Sequence, residues 1–305
     1  MLYIKKIVKM VFSIFLIGTL SFLLLSLIPG DPSTATLGLE STPEELAAFR
    51  AARGLDQNIL VRYFTWLRGV FVGDFGISFR YNEPVKELIM GRLPITLMVS
   101  FISLVLVFLI SIPLSFSFYK TKNKYLKKIE DFLLGVSISI PSFWLGIIFM
   151  FVFGIILRWF TLGYDKTLKS LVLPCVVVII PRIGVITSFL KSSLEKEMRK
   201  EYIKYLYVNG LKMKWLNLYI LKNSILSVIP LIGMMIIDLI TGIVIIEQVF
   251  SIPGIGRLLI VSISSRDIPL VQGLIFYTSV VLVVINFFID IIYTLVDPRI
   301  KGENQ

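Results

Sequence analysis

The stretch EYIKYLYVNGLKMKWLNLYILKNSILSVIP, Glu201–Pro230, decides how this chain is read. Its first half, Glu201–Trp215, places three Lys, one Glu, three Tyr and a Trp on either side of a single glycine, Gly210. Strongly apolar runs flank it, Leu171–Leu190 before and Ile225–Ile246 after. A helix needs about 20 mostly apolar residues to cross a bilayer. Both flanking runs qualify, so the basic, aromatic segment between them is a loop at a membrane face.

Four more runs of that kind complete the count: Met10–Ile28, Ile95–Phe118, Phe132–Leu157 and Leu270–Val296. They are continuous rather than alternating, which favours helices over a barrel. Of the 305 residues, 56% are hydrophobic and only 17% charged, against about 25% charged in a soluble domain. The expected fold class is therefore an all-α polytopic membrane protein with six transmembrane helices. The first run follows Lys5, Lys6 and Lys9 and runs into IPGDPS (28–33) without a small-residue cleavage site, so it is read as a retained anchor.

Six spans put both termini on one face. The segments on that face (1–9, 119–131, 191–222, 297–305) hold 18 Lys and Arg in 63 residues, while the opposite segments (29–94, 158–170, 247–269) hold 12 in 102. The bias of basic residues toward the cytoplasm makes the terminal face cytoplasmic. The net charge of +11 then follows largely from topology, and no nucleic-acid partner is needed to explain it. Three regions are expected. Residues 1–94 form one span and a long extracytoplasmic segment, 95–296 a five-helix core with the loop 191–222, and 297–305 a cytoplasmic tail.

Several chemistries are disfavoured by composition. There is no His and one Cys, Cys175, so an intramolecular disulfide is excluded, and the commonest metal ligand and general base are missing. No metal site and no catalytic residue is expected. The phosphate-binding pattern G-x-x-x-x-G-K-[ST] is absent, so energy for any pumping must come from another subunit or an ion gradient.

The outer segment carries local folding signals. Thr42-Pro43-Glu44-Glu45 has a capping residue, Pro at the first helical position and Glu three after the cap, and Gly54 closes the helix. NILVRYFTWLRGV (58–70) places Leu60, Tyr63, Phe64 and Leu67 on one helical face. On the cytoplasmic side, Arg199–Asn209 reads as a short helix with Tyr202, Tyr205, Leu206 and Asn209 on one face, stopped by Asn209-Gly210. Lys212–Lys222 is a second helix leading into span five. Two readings fit this helix–turn–helix: a basic surface held on anionic lipid headgroups, or a docking element whose Tyr and Trp anchor a cytoplasmic partner.

The layout EY…G…LKNSILSVIP resembles the cytoplasmic loop of permease subunits of bacterial ABC importers. Further stretches look, in order, like the peptide/nickel branch: IPGDPS (28–33), GLDQNILVRYFTWLRGVFVGDFGIS (54–78), RLPITL (92–97), IPSFWLGI (140–147), EQVFSIPGIGRLL (247–259), RDIPLVQG (266–273) and VDPRI (296–300). The long outer segment is similar to the first of the two dissimilar permeases in such systems. The resemblance implies the type I ABC importer permease fold and alternating access. It implies a second permease, two ATPase subunits that carry ATP and Mg, and an extracytoplasmic solute-binding protein as partners, with membrane lipid around them. No cofactor is implied on this chain. It also implies that Glu201–Trp215 is the ATPase-coupling element, with Glu201, Tyr202, Tyr205, Leu206, Gly210 and Trp215 as its candidate residues. The Glu-Ala-Ala positions of the family loop read Lys204-Tyr205-Leu206 here, so the helix–Gly–helix frame carries over and the single side chains do not.

Ionisable groups inside spans are functional candidates by default. Asp238, nearest mid-span, is the best candidate for a pathway or interface group; Arg182 follows Pro181 toward the cytoplasmic end and has the reach to snorkel. Glu247 and Asp290 lie near span ends as structural partners. Met234-Met235 offers an adaptable pore face or simple packing, and Pro174, Pro181 and Pro230 are candidate kinks. For substrate, di- or oligopeptides and nickel or a metal chelate both stay open. An ion-coupled secondary transporter is the remote alternative, disfavoured because no inverted repeat is visible.

Overall fold

The computed structural model describes residues 2–27, 30–38 and 40–296. The expected tail 297–305, and Ile28-Pro29 of IPGDPS, lie outside the described residues. Twelve α-helices account for most of the described chain. The chain divides into two compact units. One runs to Thr96 and resumes over Pro253–Phe287; the other runs from Leu97 to Ile252 and resumes at Phe288.

The first unit begins with the span α1 (Leu2–Leu27), followed by α2 (Pro32–Leu37), α3 (Pro43–Ala52) and α4 (Ile59–Val72). Local chemistry sets each start. Asp31 caps α2 by accepting from Ser33 N, and Thr42 and Glu45 close a reciprocal capping box on α3. Asn58 caps α4, and Gly73, left-handed at φ +74°, ends it. α4 differs from expectation in its packed face. Tyr63 and Trp66 meet Phe22 of α1, with ring centroids 5.3 and 5.5 Å apart, whereas Leu60 and Phe64 are exposed. Trp66 and Phe276 fill the space beside Gly18, Leu67 is half-buried, and Leu60 and Phe64 are left exposed.

Three further helices complete this unit. The start of α5 (Val85–Lys120) packs Val85, Leu88 and Ile89 against Ile255 and Leu258 of α11 (Ile255–Ser264) and Leu270 and Leu274 of α12 (Ile268–Val296). Gly273 permits the approach, since a Cβ there would stand 2.5 Å from Val85 Cγ1. Asp267 locks the ensemble. Fully buried, it accepts from Ser78 Oγ, from Phe79 N at 3.0 Å and Arg80 N at 3.1 Å, and from Leu270 N at 3.3 Å in the first turn of α12.

In the second unit the expected single run Phe132–Leu157 is broken. α6 (Lys124–Ser139) and α7 (Ser142–Phe149), the latter continued by a π-helical stretch Met150–Ile156, meet at 94°. Pro141 is the cause: it lacks an N–H and pushes Ile140 out of the helical region, to φ −81°, ψ 122°. Among the described residues five helices are long and apolar enough to span a membrane, six if this bent pair is counted as one span. α8 (Val172–Met198) is the hub, packed against α6, α7 and α10 (Met213–Val249). Of the expected kink prolines, Pro181 lies inside α8, while Pro174 sits in its first turn, where a missing N–H costs nothing. The side chain of Pro230 is outside the described set. At the basic end, Lys191 of α8 pairs with Asp131 of α6 at 2.7 Å, and Lys127 with Glu195 at 3.0 Å.

Candidate docking loop and intramembrane ion pair

Between α8 and α10 lies α9 (Glu201–Val208). Its C-terminus is a Schellman motif: Leu211 N donates to Leu206 O and Gly210 N to Tyr207 O, both at 3.1 Å. Gly210 takes φ +80°, and a Cβ there would meet nothing within 4 Å. The left-handed backbone, not space, is what calls for glycine. The turn redirects the chain so that α10 begins at Met213 and continues unbroken into span five.

α9 is held by one apolar and one polar anchor. Ile203 is buried on its inner face, as are Leu216 and Ile220 on α10. The polar anchor is a chain through Tyr202: its hydroxyl donates to the Glu197 carboxylate on α8, and it accepts from Asn223 Nδ2 on α10 at 2.6 Å. Lys200 closes on the same carboxylate at 2.7 Å. Burial, and then the Glu197 carboxylate that takes its hydrogen bond, raise the pKa of Tyr202 above the ordinary phenol value.

The outer face is apolar and aromatic. Tyr205 is 69% exposed and Val208 82%, with Tyr207 and Trp215 also exposed and Leu206 half-buried. The expected face therefore divides. Tyr202, itself partly exposed, directs its hydroxyl to Glu197 and Asn223, Tyr205 points outward, and Glu201 is exposed at the first turn. Glu197 and Asn223 were not legible as partners of Tyr202, because Asn223 stands 21 residues away on another helix.

Within the spans, Arg182 of α8 and Asp238 of α10 meet. Arg182 Nη2 lies 2.7 Å from Asp238 Oδ2 and 3.1 Å from its backbone oxygen, and Nη1 donates to Val178 O at 2.6 Å. Arg182 does not snorkel: its side chain is 9% exposed, while that of Asp238 is 61% exposed. Gly242, one turn after Asp238, makes the room, since a Cβ there would stand 2.8 Å from Arg182 Nη2. Met234 is exposed on α10 one turn before Asp238, and Met235 is buried. Glu247 is fully buried near the end of α10, and Asp290 is exposed on α12.

Apolar helices long enough to span, a broken span, and a surface helix clamped between two of them define a polytopic α-helical membrane protein with a shaped loop on one face. Residues 111–302 match the family described as the binding-protein-dependent transport system inner membrane component, and residues 1–101 match the N-terminal region of such membrane components. The chain belongs to this family and is a permease subunit of an ABC importer, a multi-pass membrane component rather than a catalytic one. Its relatives include a putative peptide transport system permease protein of Brucella abortus, 32% identical with 98% of each chain covered. The oligopeptide transport system permease protein AppB of Bacillus subtilis is 34% identical, with 93% of this chain and 94% of that one covered. The nickel import system permease protein NikB of Staphylococcus aureus is 33% identical, with 98% and 90% covered.

Proposed function

We propose that this permease carries di- or oligopeptides inward by alternating access, paired with a second, dissimilar permease. Two ATPase subunits bind ATP and Mg beneath the pair, and an extracytoplasmic protein delivers the solute. Both termini and the loop 191–222 face the cytoplasm. The observation that carries the proposal is the anchored α9. Its inner side is fixed by Ile203 and the Tyr202 hydroxyl, its outer side presents Tyr205 and Val208, and Trp215 is exposed in the first turn of α10. Exposed aromatic residues on a rigid element make strong interface anchors, and a fixed helix transmits a push that a floppy loop would absorb. The relatives named for peptide transport support the choice of cargo.

The Arg182–Asp238 pair ties spans four and five together, leaving the Asp238 side exposed. In this proposal it links the movement of α9 to the face that lines the pathway or the second permease, and Met234 lies on that same helix. A second reading, import of nickel as a metal chelate, is favoured by the relative named as a nickel import permease.

Isotope-labelled peptide uptake in cells with and without the chain tests the proposal. Loss of trialanine uptake on deletion, restored by the chain, is expected. Unchanged peptide uptake with lost nickel uptake replaces it with the second reading.

A further inference from the structure

Within the first unit, two cavities of opposite character share Trp66 as a wall. The polar one, about 370 Å³, is lined by Arg53, Arg62, Trp66, Asp74 and Gln272 among others. The apolar one, about 680 Å³, is lined by Val8, Val11, Phe12 and Phe15 of α1, Phe71 of α4 and Phe276 of α12 on its remaining sides.

The polar cavity has donors in excess. The indole Nε1 of Trp66 and the amide Nε2 of Gln272 are both buried with no hydrogen-bond partner among the described residues, and Gln272 as a whole is 6% exposed. Native proteins rarely leave such groups unmatched, because each has lost its hydration without return. Arg62 makes no ion pair among the described residues, and Arg53 donates from Nη2 to Asn82 Oδ1 at 2.8 Å. The one acid in the cavity wall, Asp74, accepts from Gly76 N at 2.9 Å. Two guanidinium forks and two N–H groups against one engaged carboxylate match an anion rich in acceptor oxygens, and a phosphate diester is such an anion. Basic pockets beside spanning helices are a recurring way of holding lipid headgroups.

The apolar groove adds a second requirement. From Gly18 to Ile7, both in its wall, α1 rises about 16 Å. One leaflet of a hydrocarbon core is about 15 Å, half of about 30 Å. Val11, Phe12 and Phe71 are exposed along this groove. Trp66 suits the junction, since an indole has an apolar body and one polar N–H. Its Cη2 edge lies against Gly18, 3.2 Å from where a Cβ would stand. A soluble anion would leave the groove unfilled and a hydrocarbon would leave the donors unmatched, whereas an amphiphile satisfies both.

We infer that these two cavities bind one phospholipid. Arg53, Arg62, Trp66 and Gln272 hold its phosphate, and one acyl chain lies along the groove of α1, α4 and Phe276. This is a headgroup site of defined chemistry rather than the general lipid surround of a spanning helix, and it does not depend on the cargo.

Lipid retention by the full chain, purified in detergent and read by native mass spectrometry, tests the site. The added probes are dioleoylphosphatidylglycerol, dioleoylglycerol and glycerol 3-phosphate. One tightly retained phosphatidylglycerol per chain is expected, at a concentration where neither other probe is retained. Arg62→Gln is expected to weaken retention roughly tenfold, the scale of one charge-assisted hydrogen bond. Val11→Trp, which fills the groove from an exposed position, is expected to weaken it as well. Arg68→Gln, exposed on α4 and outside the cavity wall, is expected to leave it unchanged. Melting temperature without added lipid should be the same in all three variants. Equal retention of dioleoylglycerol overturns the inference, because the phosphate is then not recognised. Equal retention of glycerol 3-phosphate overturns it too, because the site is then one for soluble anions. So does an equal effect of R62Q and R68Q, which would reduce the arginines to surface charge.

Discussion

Asn223 on α10 donates a 2.6 Å hydrogen bond to the hydroxyl of Tyr202 on α9. The same hydroxyl donates to Glu197 on α8, so one phenol joins three helices at the point where the proposed docking helix leaves the membrane domain.

Tyr202→Phe keeps the ring and removes both bonds, each worth about 0.5–1.5 kcal/mol. Since Ile203 still anchors α9, the chain should reach the membrane at a normal level while α9 loses its fixed angle. The expected outcome is roughly a two- to fivefold rise in ATP hydrolysed per solute transported, on the scale of that lost energy. An unchanged ratio in reconstituted vesicles would show that the phenol is only packing. The raised pKa of Tyr202 fixes the sign with pH. Its contribution is present in full below the unfolded phenol value and is lost as pH rises through the higher folded value. This group therefore adds no pH dependence to coupling between pH 6 and pH 9, a range about one unit or more below an ordinary phenol pKa of about 10.

Gly210→Val places a β-branched residue at φ +80°, at a cost of about 1–2 kcal/mol. Because a Cβ meets no neighbour there, the damage comes from the backbone alone. Gly210→Asn should be milder, since Asn tolerates the left-handed region. Uptake is expected to fall in the order glycine, asparagine, valine at matched chain levels, and equal uptake in all three would remove the turn from the mechanism.

Asp238→Ala leaves Arg182 buried without its carboxylate. The Asp238 side chain is 61% exposed, so water screens the pair and the cost falls below the about 3–5 kcal/mol of breaking a fully buried one; reduced chain levels or lowered uptake are expected. Asp238→Asn retains an acceptor for Arg182 and should be milder. Replacing both residues by leucine should recover chain level but not uptake if the pair serves transport, and should recover both if it serves packing. Equal tolerance of the Ala and Asn variants would reduce Asp238 to incidental polarity.

Asp267→Ala strands three backbone N–H groups, those of Phe79, Arg80 and Leu270, and the Ser78 hydroxyl, at about 1–3 kcal/mol for each group left buried and unsatisfied. The expected result is a lower melting temperature in detergent and faster proteolysis within 76–84, while α9 and the Lys191–Asp131 pair stay intact. An unchanged melting temperature would show that the turn holds without its latch.

What could be read from the sequence was local. The capping box at Thr42 and Glu45, the stop at Gly210 and the apolar runs each need only neighbouring residues, and each appears in the fold. The bend at Pro141 was hidden because Phe132–Ser139 and Ser142–Leu157 are apolar on both sides, so hydropathy saw one span where the backbone makes two helices. The face of α4 was only partly legible: Tyr63 packs as the periodicity suggested, whereas the gap at Gly18 that receives Trp66 lies on α1, beyond the reach of local periodicity. Arg182 and Asp238 were each visible as intramembrane charges, but nothing local joins residues 56 apart. Tyr202 was visible as a member of the loop, and its inward role depends on Glu197 and Asn223, which belong to other helices. The resemblance of seven stretches in order carried the family, which the comparisons then established.

The central claim is that α9 is the surface on which an ATPase subunit sits. The most direct measurement is a cross-link from Val208, the most exposed apolar residue of α9 at 82%. Cys175 is the sole cysteine and is buried, so a V208C variant carries one reactive thiol for a photoactivatable linker in intact cells. The expected product is a single adduct between this chain and an ATP-binding subunit, lost when that subunit's gene is deleted. Adducts confined to lipid, with the ATPase still present and uptake normal, would contradict the claim and return the basic loop to the membrane surface.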